Sequence, residues 1–91
     1  MNLLQYIPDD NTWMQRYADS MGWNELTEYY DKVWLMLYDM QPGHTFRVLD
    51  EVHPKNYDLF IKCVDATLEE FGTYGIHSYY IEEQGAVILR R

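Results

Sequence analysis

Apolar residues along this chain follow two different periods, and the places where the period changes mark the elements. After an apolar lead-in at Leu3, Leu4, Tyr6 and Ile7, the run "PDDN" offers Asp10 or Asn11 as a helix N-cap. Trp13, Met14, Tyr17, Ala18 and Met21 then recur at helical spacing, and Gly22 stands where a C-cap glycine belongs. Asn24 can cap a second helix, in which Leu26, Tyr30, Val33, Leu37 and Met40 share one face. Tyr29, Trp34, Met36 and Tyr38 widen that face into a band, and Pro42 with Gly43 ends the helix.

The period drops to two at "HTFRVLDEV", which predicts a short strand over Thr45–Leu49 followed by a single turn to Val52. Helical spacing returns at "HPKNYDLFIK". His53 precedes a proline and is biased to extended angles, while Pro54 suits the first helical position, where its missing N–H has no intrahelical acceptor. Tyr57, Phe60, Ile61, Val64, Leu68 and Phe71 line the inner face of this third helix, and Gly72 closes it. The chain finishes in two β-rich runs, 76–82 and 86–91, joined by "EEQG". A two-residue Gln84-Gly85 turn and a three-residue turn with a glycine bulge fit the spacing equally well, and a slip of one residue would exchange the strand faces.

The pattern predicts an α+β domain of three helices and a three-stranded antiparallel sheet that ends in a C-terminal β-hairpin. No repeat, low-complexity tract or linker divides residues 1–91, so one domain is expected, with 1–23 as an extension carrying the short helix and 24–91 as the core. Over 24–91 the element order resembles the winged-helix superfamily, in which a short strand follows one helix, two helices form a helix-turn-helix and a hairpin wing completes the module. The resemblance implies that the helix from Pro54 to Phe71 takes the recognition position and that the hairpin takes the wing's.

Charge pulls against the DNA-binding half of that implication. The chain holds 15 acidic and 7 basic residues, a net charge of −8, so its long-range field repels phosphate and anionic lipid and favours basic or neutral protein partners. Both halves are acidic, which leaves only local positive patches. On the third helix Lys55, Asn56 and Lys62 are the side chains suited to base edges or phosphate, with Arg47, Arg90 and Arg91 as further cations. Asp58, Asp65 and Glu69 share that helix's outer side, and Asp58 is one turn from Lys62, the spacing of an ordinary surface ion pair. At the expected wing tip stand Glu82 and Glu83, where a DNA-binding wing needs cations or neutral groups.

Aromatic content is the second signal. Nine Tyr, three Trp and three Phe make 16% of the chain, a share typical of interface centres when lysines are few. Tyr29, Trp34, Tyr38 and Tyr79 are the candidate interface rings, unless Trp13 and Tyr17 of the first helix cover the band; Tyr79 and Tyr80 must face opposite sides of the hairpin.

Other chemistry finds little footing. His44, His53, His77 and Cys63 show no metal-ligand spacing, and Cys63 reads as a small core thiol. Glu69/Glu70 and Glu82/Glu83 are adjacent and diverge, and no glycine-rich phosphate loop is present. The expectation is therefore no enzyme, no metal and no cofactor. A single cysteine, no apolar run of membrane-spanning length and an N-terminus unlike a signal peptide lead to the expectation of a soluble, unprocessed cytoplasmic protein without a membrane partner.

Three functions compete on these residues. The first is a regulatory or adaptor module acting through protein partners or self-association, with a transcription, DNA-maintenance or mobile-element setting implied by the winged-helix resemblance. Direct duplex binding through the third helix is the second. An acidic imitation of nucleic acid, using Asp9, Asp10, Asp19, Glu25, Glu28, Asp31 and Asp39, is the third.

Overall fold

A computed structural model describes residues 12–71 and 76–91. The elements are α1 (Thr12–Met21), α2 (Trp23–Asp39), β1 (Thr45–Arg47), α3 (Val48–Glu51), a 3-10 turn (Pro54–Asn56), α4 (Tyr57–Phe71), β2 (His77–Glu82) and β3 (Gly85–Arg90). This is a small α+β fold with three long helices and a three-stranded antiparallel sheet closed by the C-terminal hairpin. The expected caps at Asp10, Asn11 and Gly72 lie outside the described residues.

Packing follows the helical periods. On α2 the buried residues are Leu26, Tyr30, Val33 and Leu37, and Met40 continues the same face past the helix end. They meet Leu59, Phe60, Cys63, Val64 and Thr67 of α4, Met14 and Ala18 of α1, and Val48, Ala86 and Ile88 from the sheet side. Leu37 and Ile88 are completely enclosed, so truncating either to Ala should cost about 2–5 kcal/mol.

Gly22 does more than the sequence pattern assigned to it. Its N–H donates to Ala18 O at 2.8 Å and closes α1, while its own carbonyl accepts from Leu26 N at 3.0 Å and opens α2. Its φ of +91° lies in the left-handed region that glycine adopts freely, and lets one residue join the two helices. Asn24, the expected cap of α2, therefore falls inside the helix, which starts at Trp23.

The first strand is also shorter than expected. It ends at Arg47 because Val48 turns into α3 and buries its side chain completely. Phe46 points inward and its ring stacks on Phe60 at 5.6 Å, whereas Thr45 and Arg47 stay exposed. The helix start at Pro54 is tighter than α-helical: the His53 imidazole Nδ1 accepts from Lys55 N at 3.2 Å, and the 3-10 turn then passes into α4.

β3 is the central strand, in the order β1-β3-β2. The hairpin pairs Glu82 with Gly85 across a two-residue loop of Glu83 and Gln84, which neither turn weighed from the spacing provides. The reason is tertiary. Gly85 adopts φ +111°, and a Cβ on it would lie 2.7 Å from Leu49 Cδ1, so this position must be glycine beside α3 and fixes the register. Phe46, Ile88 and Tyr79 then share one cross-strand row on the helix-facing side, and Arg47, Val87 and Tyr80 share the adjacent row on the other side.

Candidate interaction surface

The six cations and polar residues singled out in the sequence do not converge. Lys55, in the 3-10 turn, and Lys62, in α4, are exposed, and Asn56 is half-buried. Lys62 makes no ion pair with Asp58, the expected helix-surface bridge. It lies instead near Asp65, whose carboxyl is pushed above the usual range by desolvation and drawn partly back by Lys62. The sole salt bridge among the described residues joins Arg47 and Glu82. It reaches from β1 across the central strand to β2 on the outer side of the sheet, and Val87, only 2% exposed, lies in the row between. A cation proposed for phosphate is thus bound to the carboxylate proposed as its obstacle.

Arg90 is committed more deeply. Its guanidinium donates to Tyr38 O at 2.7 Å and Met40 O at 2.6 Å, two carbonyls left open at the end of α2, where the helix dipole also favours a cation. Its backbone holds the same junction: Gly43 N donates to Arg90 O and Arg90 N donates to His44 O. Arg91 sits at the hairpin end remote from the turn, donating to Ser78 Oγ at 3.1 Å.

The candidate aromatics divide in a similar way. Trp34 packs between Phe71 and Tyr38, with ring centroids at 5.2 and 5.3 Å, and its indole N–H donates to Glu70 at 3.0 Å. Tyr38 forms the outer leaf of that stack and is 57% exposed. Tyr29 is half-buried on the wall of a cleft, and burial raises its phenol. Tyr79 faces the helices; burial first, then the neighbouring Asp65 and Tyr57, raises its phenol. The hairpin's outward ring is Tyr80, since the choice between these neighbours depends on register, which local spacing leaves open.

The cleft has a volume of about 330 Å³ and lies between α2, β1 and the link from α3 to the 3-10 turn. Val33, Met36, Phe46 and Phe60 give it an apolar floor, while Lys32, Glu51, His53 and Asn56 supply a rim of mixed charge. No spacing in the sequence announces it, since its walls come from four separate segments.

Neither a protein-family model nor a curated protein nor a solved structure matches this chain.

What that surface can do chemically is limited by its buried groups. Cys63 is fully enclosed, and burial pushes its thiol up to about 12, which keeps it protonated and unreactive. Tyr30 is raised to about 12 by burial and by Glu70. His77 holds Leu37 O at 2.9 Å through Nε2, so that nitrogen carries the proton and Nδ1 is the bare acceptor, without a partner among the described residues. Burial lowers its pKa. No group of three or more His, Cys, Asp or Glu positioned for a metal occurs among the described residues.

Among the described residues the exposed large apolar side chains are Trp23, Leu35 and Tyr38 on α2, Leu49 on α3, and Tyr80 and Ile81 on β2. No helix among the described residues is long and apolar enough to cross a membrane.

Proposed function

We propose that this domain is a non-catalytic, winged-helix-like regulatory or adaptor module that works through protein–protein contacts. A transcription, DNA-maintenance or mobile-element setting accompanies that reading through the winged-helix resemblance alone. What supports the resemblance is the order α2, β1, α3, α4, β2, β3, together with a sheet in which the last strand lies between the other two.

The observation that carries the protein-contact reading is the pairing of Arg47 with Glu82 on the outer side of the sheet. The hairpin in the wing position holds its neighbouring cation internally, turns Tyr80 to the outer side and leaves Ile81 exposed on the opposite face, with Glu83 in the turn. A wing of that composition gains little from a phosphate backbone and loses carboxylate hydration beside it. Arg90 is likewise occupied at the end of α2, which removes a second cation from any nucleic-acid footprint.

The test is site-specific photo-crosslinking in the cells that express the protein, with the reactive phenylalanine analogue placed at Tyr38 or at Lys55. An adaptor gives discrete protein adducts that survive nuclease treatment. Adducts that collapse on nuclease digestion would overturn the reading.

A further inference from the structure

The hairpin leaves β2 as an edge strand of six residues. Arg91 N donates to Ile76 O at 2.9 Å, and with the register Ser78↔Leu89, Tyr80↔Val87 this sets the alternation of the ladder. The backbone groups of Ser78, Tyr80 and Glu82 turn toward β3. Those of Tyr79 and Ile81 turn away from it, to the side where no strand of the described residues lies. Within its own six residues the strand carries little protection of a sheet edge: it contains no proline and no bulge, and its one carboxylate is at the end beside the turn. Ile81 is 66% exposed and Tyr80 41% exposed on this edge.

We propose that β2 pairs antiparallel with β2 of a second copy of this chain, with Tyr80 at the twofold axis, joining the two sheets into one of six strands. Charge selects both the occupant and the direction. β2 is polar along its length: Glu82, held by Arg47, and its neighbour Glu83, which makes no salt bridge among the described residues, mark the acidic end, and Ser78, holding the guanidinium of Arg91, marks the other. Antiparallel pairing about Tyr80 sets Glu82 opposite Ser78 of the second copy, beside its Arg91, and does so twice by symmetry. Parallel pairing would put Glu82 against Glu82 and Arg91 against Arg91.

The hydrogen-bond phase agrees with the charge. In this register the outward-facing backbones of Tyr79 and Ile81 become each other's partners across the axis, with four backbone bonds formed. The two Tyr80 residues form the non-hydrogen-bonded pair between them, where side chains approach most closely. Ile81 comes to lie against Tyr79 of the second copy, which covers the most exposed apolar side chain in the described structure. This assembly does not depend on the adaptor reading; a dimer could serve a nucleic-acid binder equally well.

Sedimentation equilibrium is the first test, with twice the monomer mass expected at submillimolar concentration. Ile81→Lys keeps its fold by circular dichroism, because the side chain is exposed, and sediments as a monomer. Tyr80→Cys gives a covalent dimer under mild oxidation, while Leu35→Cys, a more exposed site on α2, does not. A wild-type protein that stays monomeric overturns the proposal, and so does a dimer that Ile81→Lys leaves intact or that crosslinks as readily through Leu35→Cys.

Discussion

The phenolic oxygen of Tyr57, in the first turn of α4, accepts a hydrogen bond at 3.1 Å from the backbone N–H of Ala86 in β3. β1 stops at Arg47, opposite Val87, so Ala86 is the first residue of β3 without a strand partner on that side. The tyrosine takes the place of the missing strand and ties the start of α4 to the hairpin.

Removing that hydroxyl exposes the value of the link. Ala86 is 1% exposed, so Tyr57→Phe leaves a buried donor unsatisfied and should lower stability by about 1–3 kcal/mol, read as a reduced urea midpoint with unchanged slope. A midpoint equal to that of the wild type would show that the link contributes nothing.

Arg90 should matter for the end of α2 in the same measurement. Replacing it with Ala removes two charge-assisted bonds to Tyr38 O and Met40 O, at a cost of about 1–2 kcal/mol, with protection of the last-turn amides of α2 from hydrogen exchange falling first. Uniform loss of protection across the domain would contradict a local capping role.

Gly85 tests why the hairpin takes its register. Gly85→Ala places a methyl 2.7 Å from Leu49 Cδ1 on a backbone held at φ +111°, and should cost at least about 1 kcal/mol. Adding Leu49→Ala should recover only the steric part, since the backbone strain remains. Full recovery in the double variant would assign the effect to Leu49 alone.

His77 should make stability depend on pH in one direction. Its folded pKa is lowered, first by burial and also by Arg90, against the opposing hydrogen bond to Leu37 O. Its neutral form is therefore the one the fold prefers. Stability is complete above the ordinary histidine value near 6.5, falls as pH drops below it because the unfolded chain takes the proton more readily, and levels off below the lowered value. His77→Gln should flatten the slope of stability against pH in that window, whereas a slope unchanged by the substitution would place its origin elsewhere.

What the sequence displayed plainly was whatever depends on neighbours in the chain. The buried faces of α2 and α4, the turn at Gly22 and the helix start at Pro54 all follow from spacing and local backbone preference. The register of the hairpin does not, because Leu49 and Tyr57, 36 and 28 positions earlier, decide where glycine must stand. The same dependence decides which ring of the pair is exposed: the register turns Tyr79 toward the helices and Tyr80 outward. Arg47 and Arg90 looked like free cations for the same reason, since their acceptors lie 35 and about 50 positions away. The cleft beside His53 and Asn56, built from four segments, left no trace in local spacing.

The central claim is that this surface meets protein and not duplex DNA, and a fluorescence-anisotropy titration of a labelled mixed-sequence duplex tests it most directly. Even non-specific duplex binders show dissociation constants of about 10⁻⁴–10⁻⁶ M at physiological salt and bind more tightly when salt is lowered. The account predicts no saturable rise in anisotropy at about 50 mM salt with protein up to about 100 µM. Saturable binding that weakens linearly with the logarithm of salt concentration, and that weakens further on Lys55→Glu or Lys62→Glu, would contradict it.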